Sequence, residues 1–205
     1  MLNKVCFSPS FQKKLLATTF LNDSNGEKIP CNFYELNSPI DEVYLKKQEK
    51  SENWANSRFF DVFCKDFYDK YFYHHYINFY TMENDNGDCL AYIEEIKSED
   101  TRSISFLETV PIFSKKTKGR KIKGIGETMV SFLAAYAKKL KNAEVICIDL
   151  PTDESKWFYY KLGFEKPLKE GTLMLLPQEK VDSLIKRNEQ RNGAKIEFVE
   201  KNNGK

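Results

Sequence analysis

The sequence predicts an α/β fold, a mixed and mostly antiparallel central sheet flanked by helices. Three observations lead there. Two β-rich runs, Tyr76–Met82 and Cys89–Ile96, are joined around Asn86-Gly87, and a third at Ile104, Phe106 and Thr109-Val110 follows directly, which makes an antiparallel meander. Beyond residue 110 the apolar spacing alternates between helical and strand periods. The chain also has the material to cover such a sheet: 205 residues with 41% hydrophobic content are enough to bury roughly 70% of the unfolded surface.

In chain order, Phe11–Leu21 and Lys28–Leu36 flank the turn pair Asn25-Gly26 and read as strands, followed by a polar stretch from Asn37 to Asn56 with two weakly marked segments. From Ser57 to Tyr73 the positions Phe60, Phe63, Cys64, Phe67 and Tyr71 recur at three and four, the mark of an amphipathic helix with an aromatic face. In the hairpin that follows, Asn86-Gly87 suits a type I′ turn, whose central residues take positive φ. After the third strand comes a loop, Pro111 to Lys123, and then a helix over Ile125–Leu140 with a broad apolar stripe that includes Met129, Phe132, Leu133 and Tyr136. Val145–Leu150 reads as a buried strand and Asp153–Leu162 as a short helix stopped by Gly163. Leu173–Leu176 is a further strand, Gln178–Arg191 a helix capped near Gly193, and Ile196–Val199 a last strand or an ordered tail. No repeat or linker divides the sequence, so residues 1–205 are expected to form one domain.

Composition excludes several classes. The 32 basic and 30 acidic residues nearly balance, which argues against a protein whose whole surface binds nucleic acid or anionic lipid. No run approaches the roughly 18 apolar residues of a membrane span, and Leu15 to Leu21 behind Lys13 and Lys14 is a poor signal peptide. Cys6, Cys31, Cys64, Cys89 and Cys147 are odd in number, widely spaced and set in or beside apolar segments, as buried thiols are in a reducing compartment. The expectation is a soluble, cytoplasmic protein. No C-x-x-C pair occurs and His74-His75 are adjacent, so neither zinc nor another metal is implied.

The segment Lys121-Ile122-Lys123-Gly124-Ile125-Gly126 sits where a strand hands over to a helix. Its glycines let a ligand approach the backbone, and unpaired amides at a helix N-terminus favour an anion such as a diphosphate. Two familiar diphosphate motifs fail on spacing. The dinucleotide fingerprint needs glycine where Met129 stands, and the P-loop needs Lys then Ser or Thr where Ile125 and Gly126 follow Gly124.

The segment resembles instead the pyrophosphate loop Q/R-x-x-G-x-G/A of the GNAT superfamily of acetyl-CoA-dependent N-acetyltransferases, with Lys121 at the Gln/Arg position and Arg120 one residue early. Farther on, Phe158-Tyr159-Tyr160-Lys161-Leu162-Gly163-Phe164 is similar to that family's F-Y-x-K-L-G-F, at the family's distance from Gly126. Thr152 and Ser155 stand where an Asn and an Ala are often found. The resemblance spans about residues 75 to 177. It implies a GNAT fold whose acetyl-CoA-binding core is 75–177, with 1–74 a variable part forming the acceptor side and 178–205 a C-terminal helix and tail.

The same resemblance implies acetyl transfer to a primary amine of a small molecule or protein, by direct attack in a ternary complex. Tyr159 would protonate the departing thiolate, with Tyr160 its neighbour in the motif. A backbone N–H at Val110 or an adjacent residue would stabilise the oxyanion. Glu108 is the carboxylate placed to act as general base, where other members use a water chain. Cofactor contacts would come from Val110, Lys121, Ile122, Lys123, Gly124, Ile125, Gly126 and Ser155. Two other readings stay open: a non-catalytic acyl-CoA-binding module on the same fold, and a nucleic-acid-binding protein using the basic loop 115–123, which is disfavoured because that loop lacks interleaved aromatics. Glu83, Asp85, Glu94 and Glu95 are candidates to attract a cationic acceptor. The sequence names neither the acceptor nor an oligomeric state.

Overall fold

Among the described residues, eight strands hydrogen-bond into one sheet in the order β7-β6-β5-β4-β3-β2-β1-β8. The computed structural model describes residues 13–36, 48, 54, 77–98, 101–110, 122–141, 145–148, 151–166 and 173–200. The strands are β1 (Lys13–Asn22), β2 (Lys28–Leu36), β3 (Ile77–Asn84), β4 (Cys89–Lys97), β5 (Thr101–Thr109), β6 (Val145–Ile148), β7 (Met174–Leu176) and β8 (Glu197–Phe198). The helices are α1 (Ile125–Leu140), α2 (Asp153–Leu162) and α3 (Gln178–Asn192). The expected helix Ser57–Tyr73 lies outside the described residues, as does most of the loop Pro111 to Lys123.

All neighbouring strands run antiparallel except β5 and β6, which are parallel and joined through α1. The antiparallel meander thus runs through five strands, β1 to β5, rather than three. Two of its hairpins, β1–β2 and β3–β4, share one construction. In the first, Asp23 Oδ1 accepts from the backbone N–H of Asn25 and Glu27, and in the second Asn84 Oδ1 accepts from Asn86 and Asp88. Gly26 and Gly87 take φ of 87° and 74°. Gly87 N–H donates to Asn84 O at 2.9 Å, and Asn86 keeps a negative φ. The second turn is therefore a type I turn followed by a left-handed glycine, not the expected type I′. The Asn84 side chain favours this alternative by satisfying two turn amides.

The core forms where α1 lies across β4 and β5. Phe132 of α1 stacks on Phe33 with ring centroids 4.3 Å apart and meets Tyr80 edge-on. Met129, Val130, Leu133, Ala134 and Ala137 complete the buried stripe. Helix α3 packs beside α1 and reaches β1, where Asn22 Nδ2 donates to Arg191 O. The Phe198 ring of β8 then closes the aromatic row with Tyr136.

Beneath that row lies a charged pair. Arg102 Nη1 donates to Glu95 Oε1 at 2.6 Å, and Tyr80 Oη and Asn78 Nδ2 donate to Glu95 Oε2 at 3.0 and 2.9 Å. Both charged side chains are almost fully enclosed. Burial, reinforced by Glu95, drives the Tyr80 phenol well above its usual range, so it remains a donor. Removing one partner would strand the other's charge out of water, whereas removing both would not. Glu95→Gln or Arg102→Met alone should therefore lower unfolding stability by about 3–5 kcal/mol. The double variant should lose much less, as measured by urea denaturation; additive losses would contradict the pairing.

Candidate functional site

Strand β5 decides the geometry of the site. Its pairing with β4 steps from Glu95↔Ile104 to Glu94↔Phe106, leaving Ser105 as a β-bulge. A bulge bends a strand and reverses the facing of everything after it. Pairing with β6 stops at this same point, the last partners being Ile104 and Ile148, while β5 continues to Thr109. Among the described residues no strand covers that outer edge of β5 from Ser105 onward.

Backbone direction along the uncovered stretch follows from one bond. Val110 N–H donates to Leu90 O at 2.8 Å, toward β4. Its amide is therefore engaged within the sheet and is not available as an oxyanion donor. Successive strand amides alternate in direction, so the N–H of the adjacent Thr109 turns to the opposite, uncovered edge.

Helix α1 starts beside this edge. Gly124 is its N-cap, at φ 80° and ψ 8°, and no side chain caps the helix. The first intrahelical bond is Thr128 N–H to Gly124 O, so the amides of Ile125, Gly126 and Glu127 precede the ladder and form the positive end of the helix dipole. Ile122 and Ile125 are buried and can offer a ligand only backbone, whereas Lys123 is exposed. Ile122 also bridges Asp23 of the first hairpin turn, which ties down the approach to the helix. Lys121 lies outside the described residues.

Gly126 is where three segments remote in sequence meet. A Cβ there would stand 3.3 Å from Phe158 Cζ of α2 and 3.4 Å from Thr109 Cγ2 of β5. The residue is small because helix, strand end and the Phe158 ring converge on it. Gly124 is small for another reason: beyond its left-handed backbone, a Cβ would fall within 2.6 Å of Arg191 Nη2.

Helix α2 begins with a cap in which Ser155 N–H donates to Thr152 Oγ1 at 3.3 Å and the Ser155 hydroxyl to Thr152 O at 3.0 Å. Ser155 is thus committed to its own helix end. Tyr159 is 4% exposed, its ring edge-on to Phe158 and Phe164. Burial raises its phenol above the ordinary value, and no group among the described residues hydrogen-bonds its hydroxyl. Tyr160, by contrast, faces outward.

The bulge sends Thr109 to the α1 face and Glu108 to the opposite face. There Tyr92 Oη donates to Glu108 Oε2 at 3.3 Å, and burial, with Glu108 close by, drives the Tyr92 phenol far up. Phe106 stacks on Tyr92, and Trp54 packs against it with its Nε1 donating to Cys89 O. The four acids considered for a cationic acceptor separate. Glu95 is sealed against Arg102 on the α1 face, and Glu83 is ion-paired with Lys13. Glu94 accepts from the bulge residue Ser105 on the Glu108 face, and Asp85 is in the hairpin turn. Cys31, Cys89 and Cys147 are buried free thiols, burial pushing Cys31 up to about 12, and no metal-binding cluster occurs among the described residues. Nor is any described helix long and apolar enough to cross a membrane.

Phe158, Thr109 and Arg191 were not singled out by sequence. Phe158 was legible in its motif, whereas Arg191 meets Gly124 only through tertiary packing.

No family sequence profile and no curated protein matches the chain. Solved structures match its fold. An acetyltransferase of inferred function from Exiguobacterium sp. 255-15 is 13% identical, with 75% of this chain and 97% of that chain covered at a TM-score of 0.50. AtaTR bound with AcCoA is 15% identical, with 75% and 97% covered at 0.52. An uncharacterized protein from Bacillus halodurans is 14% identical, with 83% and 95% covered at 0.53. With its antiparallel meander, a parallel β5–β6 pairing that ends beside the Ser105 bulge, and α1 starting next to the edge left unpaired among the described residues, the chain has the fold of the GNAT acetyltransferases.

Proposed function

We propose that the protein is an N-acetyltransferase that binds acetyl-CoA between the start of α1 and the uncovered edge of β5 and passes the acetyl group to a primary amine. The observation that carries this reading is the convergence at Gly126 of an uncapped helix N-terminus, a strand end with a free edge, and the helix bearing Tyr159. The likeness to AtaTR, which is seen with AcCoA, supports it.

The residues present suit such a ligand. Amides 125–127 and the helix dipole favour a diphosphate, and the outward backbone groups of β5 between Ser105 and Thr109 suit an amide-bearing arm laid along the strand as an extra partner. The cofactor supplies an acetyl group activated as a thioester. The protein supplies the rest. Thr109 N–H, rather than Val110 N–H, is the oxyanion donor on the open edge. Glu108, oriented by Tyr92, accepts the proton of an amine arriving from the face opposite α1. Tyr159 holds a donor proton and faces no competing acceptor among the described residues. Lys123 adds positive charge near the diphosphate, a role the motif assigns to Lys121 as well; Ser155 contributes only through the end of α2.

The first test is calorimetry with acetyl-CoA, followed by thiol release over small amines, polyamines and lysine peptides. Binding should be saturable, and turnover with at least one amine separates an enzyme from an acyl-CoA-binding module. Gly126→Glu drives a carboxylate between Thr109 and Phe158 and should abolish binding in a protein that still melts cooperatively. Tyr159→Phe should lower kcat by about 10²-fold or more with affinity for acetyl-CoA retained; unchanged turnover removes Tyr159 from the mechanism. A pH profile adds an independent check. Because burial raises the Tyr159 phenol, its proton is kept through the whole range up to the ordinary phenol value near 10. Any fall in rate between about pH 8 and 10 should therefore occur at the same pH in wild type and Tyr159→Phe, and a limb present only in wild type would show that Tyr159 is ionising there.

A further inference from the structure

The α1 N-terminus carries a contradiction. Its first turn contains an acid, Glu127. A carboxylate there stabilises the helix, but it competes with any anion that uses the same amides. Two arginines of α3, about sixty residues away in sequence, converge on this acid. Arg187 Nε donates to Glu127 Oε1 at 3.0 Å, and its Nη1 donates to Lys161 O of α2 at 2.8 Å. Arg191 Nη1 donates to Glu127 Oε2, and its Nη2 reaches Gly124 O at 3.3 Å, Thr128 Oγ1 at 3.2 Å and Asn188 Oδ1 at 2.8 Å.

The cluster is built rather than incidental. Thr128, Asn188 and Asn192 are buried and bonded to one another, and Asn22 of β1 holds the Arg191 carbonyl. The Arg191 guanidinium occupies the space a Gly124 side chain would fill, so in this arrangement the arginine sits where only a glycine leaves room. One negative and two positive charges leave the first turn of α1 net positive, with one third of the Arg191 side chain still open to solvent.

We infer that α3 is part of the anion site: Arg187 and Arg191 act as positioning residues that cancel Glu127, fix Gly124 in its left-handed conformation and make the start of α1 receptive to a diphosphate. This rests on the acetyl-CoA reading for the identity of the ligand, not for the charge balance. It also gives the C-terminal segment a role beyond closing the sheet.

The test compares three probes: inorganic pyrophosphate, acetyl-CoA, and S-acetylpantetheine, which lacks the diphosphate. Arg187→Met/Arg191→Met keeps the apolar stems and removes the charge. It should weaken pyrophosphate and acetyl-CoA by roughly tenfold or more, flatten their salt dependence, and leave S-acetylpantetheine unaffected. A merely structural role would lower the melting temperature and affect all three alike, or none, and either result overturns the inference. Glu127→Gln removes the negative charge, keeps one oxygen that accepts from an arginine, and should tighten pyrophosphate severalfold; unchanged or weaker binding counts against the proposal even where the double variant does not fold. Pyrophosphate binding that depends on the arginines in a protein that ignores acetyl-CoA would sink the acetyltransferase reading alone. Acetyl-CoA binding indifferent to them would sink the inference alone.

Discussion

The bulge at Ser105 is the constraint from which the rest of the site follows. Up to Ile104, β5 is an interior strand with β4 on one side and β6 on the other. One extra residue bends it away, and the parallel partner is lost at the same step. Backbone groups on such an edge must find other partners or water. Here α1 starts beside the edge because Gly126 lets its first turn approach Thr109, and Phe158 leans in from α2. Helix start, strand end and aromatic ring meet beside the stretch of β5 that β6 does not pair.

The same bulge sorts the charges. Before it, Arg102 faces α1 and closes onto Glu95 in a pair sealed from water. After it, Phe106 and Glu108 face the other way, with Thr109 left toward α1. Strict alternation from Ile104 would have put Glu108 under the helix, with no Tyr92 to orient it. A carboxylate one residue from the end of β5 is thus delivered to the face opposite α1 by a defect in the ladder.

How much of this could be read in the sequence differs from element to element. Ile125–Leu140 and Asp153–Leu162 have the bounds their periodicity and terminal glycines indicated, because Gly124, Gly163 and the apolar stripes act locally. The Asn86-Gly87 turn was found but mistyped, since the Asn84 side chain, outside the pair, selects the turn. The Ser105 bulge left no mark, because Ile104 and Phe106 look like ordinary alternation. The expected amide was that of Val110 or an adjacent residue, and the adjacent Thr109 is the one on the open edge; choosing between them requires knowing which neighbour β5 pairs with. Arg187 and Arg191 carried no signal, being charged residues on a helix whose exposed face is full of them.

The arginine cluster shows why a helix appended after the last central strands bears on the site. An uncapped N-terminus with a glycine in the left-handed region is a weak way to start a helix, and Glu127 in the first turn compensates through the dipole. Left alone, that compensation would close the amides to a second anion. Two guanidinium groups on Glu127 offset its charge and tie the first turn of α1 to α3 instead, while Arg191 lies in the volume beside Gly124. Helix stability and receptivity to an anion oppose each other at a bare N-terminus, and on the reading proposed above both would depend on this one ion cluster.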